Sequence, residues 1–320
     1  MALVGIARLA AESQLLEAKR NVEYFEIPSR TVLNRTKPNM PFQWTINPYR
    51  GCEIGCKYCY ARYAHGFMEL DPQSFEEKIY AKPAPAFLLR QELAKIDKRE
   101  HIAIGTATDP YQPAERRFAR TRAILEVFAR EHSWHLGVTT KSDLILRDLD
   151  LLRQIARRNV LSIHITITTL DEKLARLIEP RAPRVELRLD TVRQLRAAGV
   201  CVSVFPNPIM PGITDSEEAL DALARAAKDA GAMSFGGGAL YLPGAAQEVF
   251  LPFVEREFPH LAARYRDTFE KGIHLSRRYK DALAEKIRRI RLRHGLTSGF
   301  VDYRPELWAE DEQMTLFPIL

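Results

Sequence analysis

The chain has 320 residues, a hydrophobic fraction of 46%, a charged fraction of 28% and a formal net charge of +6, which is ordinary for a globular protein with a substantial core. No apolar run approaches the roughly 18 residues that span a bilayer, and the opening Met1–Ala11 lacks the basic region and length of a secretion signal. Four cysteines in so long a chain make a poor disulfide framework, so a cytoplasmic protein with no membrane partner is expected.

Residues 1–43 read as an irregular leader, because Pro28, Pro38 and Pro41 break any long helix. From 44 to 245 a strand–helix alternation recurs, which predicts a parallel sheet with crossover helices. The predicted strands are Trp44–Asn47, His101–Gly105, Trp134–Thr139, Leu161–Thr168, Cys201–Phe205 and Ala232–Tyr241. Predicted helices lie between them at Pro85–Lys98, Ala119–His132, Leu144–Arg158, Val185–Ala198 and Ser216–Ala230. Gly199 and Gly231 stand where helix C-caps belong, and Asp215 or Ser216 suits an N-cap, with Glu218 close to capping-box spacing. Residues 246–305 read as a helical extension, with two or three helices over Phe250–Leu292, and 306–320 as a flexible tail.

The first predicted strand runs into Cys52-Glu53-Ile54-Gly55-Cys56-Lys57-Tyr58-Cys59. Three thiolates on one tight loop can each hold one iron of a [4Fe–4S] cubane, leaving the fourth iron open to a small molecule. Zinc is the competing metal, but a structural zinc closes its shell with four ligands. The nearest histidine, His65, stands six residues past Cys59. Cys201, at a strand start, reads as a buried structural thiol.

The C-x3-C-x2-C spacing with an aromatic residue before the last cysteine resembles the signature of the radical S-adenosylmethionine enzymes. The resemblance extends over about two hundred residues, since six strands with five helices match that family's partial (β/α)6 barrel, a TIM-type α/β fold. It implies a [4Fe–4S] cluster on Cys52, Cys56 and Cys59, S-adenosylmethionine on the open iron, and a reducing partner such as flavodoxin or ferredoxin. Ligands of such barrels sit at the C-terminal strand ends, where this chain carries Thr106-Ala107-Thr108-Asp109-Pro110, Thr139-Thr140-Lys141-Ser142 and Glu179-Pro180-Arg181-Ala182-Pro183. These segments resemble the spore photolyase-related, DNA repair photolyase-like group, which implies a lyase acting on damaged DNA. They place Thr108 and Asp109 at the methionine end of the cofactor and Lys141 at its carboxylate, with Arg181 a second candidate. Thr166 falls near the ribose, Tyr58 offers backbone contact to the adenine and Phe205 lines its pocket. Tyr60 matches a tyrosine that relays hydrogen.

The same residues have plainer readings. Asp109 before Pro110 starts a turn, Lys141 is a solvated helix N-terminal residue, Thr166 and Thr168 are packed β-formers, Arg181 is an ion-pair partner and Tyr60 is core. One departure from the group matters. Its hydrogen-donating cysteine has no counterpart here, Thr106 occupying the place, and a threonine O–H bond is too strong to replace a thiol in quenching a carbon radical.

Basic residues dominate Arg277–His294, with Leu283, Ile287 and Ile290 at helical spacing, and Arg116, Arg117, Arg120 and Arg122 form a second cluster. Either could follow a phosphate backbone or simply be solvated. In the tail, Gln313-Met314-Thr315-Leu316-Phe317 resembles the peptide by which bacterial repair proteins bind the sliding clamp, with Gln313, Leu316 and Phe317 as anchors. The expected function is therefore reductive cleavage of S-adenosylmethionine and hydrogen abstraction from a nucleic acid. The alternatives are radical modification of a peptide or small molecule, and a non-catalytic iron–sulfur protein that binds DNA or senses redox state.

Overall fold

The computed structural model describes residues 3–83, 85–299 and 303–308. Eleven strands run in chain order as β1 (Gln14–Lys19), β2 (Val22–Glu26), β3 (Leu33–Arg35), β4 (Trp44–Ile46), β5 (Tyr49–Arg50), β6 (Lys78–Ala81), β7 (His101–Ile104), β8 (His135–Thr140), β9 (Val160–Thr166), β10 (Cys201–Phe205) and β11 (Ser234–Phe235). The larger sheet has the order β11-β10-β9-β8-β7-β4-β3. Its six strands from β4 to β11 are mutually parallel, and β3 adds antiparallel at the edge. This is the expected α/β architecture of six strands with crossover helices.

Apolar content explains the centre of the sheet. Every residue of β9 is buried, as a parallel strand covered on both faces requires. The crossover helices Arg120–Phe128, Leu149–Arg158, Val185–Ala197 and Glu217–Asp229 pack their apolar sides into that core. Ser216 is the N-cap of the last, its hydroxyl accepting from the Ala219 N–H at 3.1 Å. Gly199 and Gly231 take φ values of +81° and +91° just past their helices, the left-handed conformation that glycine reaches without a Cβ penalty.

Two expectations are corrected. The leader is not irregular: it holds a helix at Gly5–Ala11 and strands β1, β2 and β3. An Arg20–Asn21 turn joins β1 to β2, and a second, four-stranded sheet assembles in the order β1-β2-β6-β5. The prolines lie between these short elements, where they break nothing. The last predicted strand shrinks to Ser234–Phe235, because Gly236, Gly237 and Gly238 follow at once.

The C-terminal part forms helices Gly244–Glu257, Pro259–Phe269 and Arg277–Arg293. Phe250, Phe253, Tyr265 and Phe269 pack into one apolar cluster with Cys52, Cys56, Tyr58 and Ala61. The extension thus covers the cysteine loop. Among the described residues no helix is long and apolar enough to cross a membrane. Gln313, Leu316 and Phe317 lie outside the described residues.

Candidate active site

The C-terminal strand ends of the larger sheet meet the smaller sheet at the cysteine loop. β5 leads into Gly51, whose φ of +81° would place a Cβ 2.5 Å from the Lys78 carbonyl oxygen. Only glycine makes that turn, and it delivers Cys52 with its N–H on the Phe75 carbonyl at 3.0 Å. Short bonds then wind the loop: Gly55 N–H to the Cys52 carbonyl at 3.3 Å and Cys59 N–H to the Cys56 carbonyl at 3.2 Å. Cys52, Cys56 and Cys59 are all free thiols. Burial pushes the Cys56 thiol up to about 12 and raises Cys52 and Cys59 as well. Thiols this reluctant to ionise become thiolates only against a metal's charge.

The donor set fits an iron–sulfur cluster. Backbone N–H groups of Asp109 and Ala61 point at the Cys52 and Cys59 sulfurs, the hydrogen bonding that tunes such clusters. Cys201 is remote, at the opening residue of β10, in register with Ser162.

Several expected cofactor contacts turn inward to brace this loop. Thr108 is buried and donates to the Gly51 carbonyl at 2.8 Å, while Gln112 donates to Thr108 at 2.8 Å and to the same carbonyl at 3.1 Å. The Asp109 carboxylate accepts from Thr140 Oγ1 at 2.6 Å, Tyr111 N–H at 2.9 Å and Lys141 N–H at 2.8 Å. It therefore ties the β7 and β8 strand ends together. Arg181 donates to the carbonyls of Glu53 and Glu76 at 3.3 and 3.2 Å, so its guanidinium holds backbone, and it lies within electrostatic reach of the Glu53 carboxylate.

Glu179, to which the sequence alone assigns no role, is the electrostatic hub. It is fully buried and accepts from Tyr58, Thr168 and, at 2.6 Å, Arg188. Lys141 Nζ lies 4.0 Å from it and 5.8 Å from the centre of the Tyr58 ring. Burial would raise this carboxyl, but Arg188 and Lys141 outweigh it and hold the pKa below the usual value. Arg188 is bonded directly to Glu179, whereas the Lys141 ammonium stands off it and also feels the Cys56 sulfur and the Asp109 carboxylate. No periodicity links Glu179 to Arg188 on the next helix, so no sequence signal marks the pair.

Thr166 and Phe205 are directly paired where β9 and β10 end. The Phe205 ring stacks on His164 at 4.4 Å, and burial lowers that imidazole to about 4. Tyr60 is part-exposed and donates to the Thr106 carbonyl, so the residue expected to relay hydrogen stands against the loop position that lacks a cysteine.

A parallel barrel sheet with three free thiols on one strand-end loop defines an iron–sulfur enzyme scaffold. Residues 46–251 match the family model of the Radical SAM superfamily, and the chain belongs to that superfamily. A [4Fe–4S] cluster and S-adenosylmethionine are the cofactors of this family and of this chain. It is 33% identical over 289 residues to an uncharacterized protein of Mycobacterium tuberculosis, covering 89% of this chain and 84% of that one. An uncharacterized protein of Methanocaldococcus jannaschii is 31% identical over 201 residues, 61% of this chain and 71% of that one. Among solved structures, spore photoproduct lyase complexed with dinucleoside spore photoproduct aligns with a TM-score of 0.65 at 16% identity, over 85% of this chain and 79% of that one. A variant of that lyase with bound AdoMet and the dinucleoside aligns with a TM-score of 0.63 at 15% identity, over 84% and 79%. At these identities the likeness is one of fold.

Proposed function

We propose that this chain is a radical enzyme that holds its [4Fe–4S] cluster on Cys52, Cys56 and Cys59 and acts on a nucleic-acid strand. When bound, the cluster and S-adenosylmethionine supply a 5′-deoxyadenosyl radical that takes a hydrogen atom from substrate. The observation that carries the reading is three free thiols on one braced loop beside the Lys141 ammonium, which stands 4.0 Å from Glu179. The Lys141 ammonium, held 4.0 Å from Glu179, suits the cofactor's carboxylate, a charge-assisted contact. Phe205, backed by a neutral His164, offers a flat apolar face for the adenine. The aromatic cluster from the C-terminal helices keeps water from the loop.

The substrate class rests on the fold shared with spore photoproduct lyase, a weaker support. A lyase step of that type would need another hydrogen donor, and Tyr60, held at Thr106, is the candidate relay.

Anaerobic reconstitution with dithionite and S-adenosylmethionine tests the reading. Wild type should form 5′-deoxyadenosine, and Cys52→Ala, Cys56→Ala and Cys59→Ala should form none. Wild type that carries an intact cluster yet yields no 5′-deoxyadenosine would return the chain to a structural or redox-sensing role. Deuterium passing from a labelled oligonucleotide into 5′-deoxyadenosine would fix the substrate class, and its passage from a peptide instead would move it.

A further inference from the structure

A protein that binds a phosphate backbone needs cations that its own acids have not already neutralised. The two basic clusters apparent in the sequence are largely consumed internally. Arg117 pairs with Glu17, Arg120 with Glu26 at 2.8 Å and Arg122 with Asp148 at 2.7 Å. On the last helix Arg288 pairs with Glu285 at 2.7 Å, Arg289 with Glu217 at 3.1 Å and Arg293 with Asp221 at 2.6 Å.

Arg50 and Lys82 differ. Among the described residues neither side chain has a hydrogen bond or an ion pair, which holds also for the exposed Arg116, Arg278 and Lys280, but Arg50 is half-buried and Lys82 only 5% exposed. They are neighbours across the smaller sheet: Arg50 pairs with Tyr80 in register, and the Lys82 N–H donates to the Pro48 carbonyl at 3.1 Å. Glu92 is an acid within electrostatic reach of Lys82, but it is already held by the N–H groups of Val32 and Leu33 at 3.0 and 2.8 Å. Burying a cation without a partner is costly, and a second cation beside it raises the cost. Burial, then Arg50, draw the Lys82 ammonium down to about 8. An arriving anion relieves all of this.

Beside these cations runs a chain of exposed rings. Tyr63, 39% exposed, lies within electrostatic reach of Arg50. Its ring is 6.3 Å from Tyr60, with planes 25° apart, and 5.6 Å from Phe67, which is 64% exposed. Tyr241 continues the chain 6.0 Å from Tyr60. Tyr60 directly follows Cys59, so the rings start at the cysteine loop and lead outward.

We infer that Arg50 and Lys82, together with the rings of Tyr60, Tyr63, Phe67 and Tyr241, form the seat of a single or locally unpaired nucleic-acid strand, with a phosphate on the cations and bases stacked on the rings. The inference deepens the proposed substrate class and rests on it. A strand alternates charge and flat rings as this surface does, and stacking on aromatics holds any base sequence. Threading past Tyr60 would bring a nucleotide to the cysteine loop.

Fluorescence anisotropy of a labelled oligo-dT strand on the reconstituted full chain, titrated over a range of KCl, tests the seat. Tyr63→Ala and Phe67→Ala should each weaken binding on the order of tenfold with the salt slope unchanged. Arg50→Gln and Lys82→Gln should each reduce the slope of log K against log salt by about 0.7. Circular dichroism and the cluster absorbance check folding, and if Lys82→Gln fails to fold, Arg50→Gln and the two ring variants decide. Wild type that binds while these variants bind equally well would overturn the seat and leave the nucleic-acid reading standing. Wild type that binds neither DNA nor RNA strands at low salt removes the reading and the seat together. An acidic peptide that displaces the strand and is itself held more tightly would assign the surface to a peptide.

Discussion

Glu179 holds more of the site together than any cysteine does, because it answers two cations and two hydroxyls at once. Arg188 is 2% exposed, and besides Glu179 its guanidinium reaches only the carbonyls of Pro183 and Thr166 among the described residues. Removing the carboxylate strands that charge in the interior, which costs about 3–5 kcal/mol for a buried pair. Glu179→Ala should therefore lower the urea midpoint strongly at neutral pH, measured anaerobically on the loaded protein. Arg188→Met alone should cost less, because Lys141 and the Tyr58 and Thr168 hydroxyls still answer the carboxylate, and the double variant should recover part of the Glu179→Ala loss. Single losses below about 1 kcal/mol would place the pair in water rather than in the core.

The element that most invited a functional reading from sequence was the basic helix Arg277–Arg293, and packing changes its meaning. Leu283, Ile287 and Ile290 fix one side of it on the core, and that orientation lays Arg289 and Arg293 against Glu217 and Asp221 of the helix Glu217–Asp229. Lys286 is likewise held, donating to the Asp215 carbonyl at 2.6 Å. Surface pairs of this kind contribute about 1 kcal/mol or less. Arg289→Gln with Arg293→Gln should thus cost little stability, and duplex DNA affinity and its salt dependence should stay at the wild-type values. A clear fall in affinity would restore the helix as a phosphate footprint. Periodicity identified this helix and its buried side but not the acids opposite, because those lie about seventy residues earlier in the chain. The same limit explains the leader. Val22 and Tyr24 alternate into the core of the smaller sheet, but the β1–β2 hairpin is joined to the rest of that sheet only through β6, more than fifty residues on. The six parallel strands of the larger sheet and the cysteine trio were legible because each is written in a few adjacent residues, whereas that sheet's edge strand β3 was not. The seat on Arg50 and Lys82 was not, since its evidence is the absence of partners.

Across the whole molecule, the two sheets and the C-terminal helices enclose the segment that follows the cysteines, and burial there creates a pH dependence. His65 is fully buried between Phe75 and Tyr80, with Nε2 on the Lys78 carbonyl at 3.1 Å and Nδ1 without a partner among the described residues. Burial lowers its pKa to about 4, with the carbonyl opposing and Arg62 adding to the shift. An unfolded histidine takes its proton near pH 6.5. Between those values the unfolded chain binds the extra proton, so stability rises with pH across that window. The contribution is fully present above pH 6.5 and is lost as pH falls toward 4, amounting to about 2 kcal/mol between pH 7 and pH 5. His164, also lowered to about 4 by burial, acts in the same direction. Urea midpoints of the loaded wild type should fall between pH 7 and pH 5, and His65→Gln should remove part of that fall. The Gln amide can still donate to the Lys78 carbonyl, so its neutral-pH stability separates lost packing from lost titration. An unchanged pH slope in His65→Gln would show that the imidazole takes its proton in the folded protein as readily as in the unfolded chain and that the segment beneath the cysteine loop is wet.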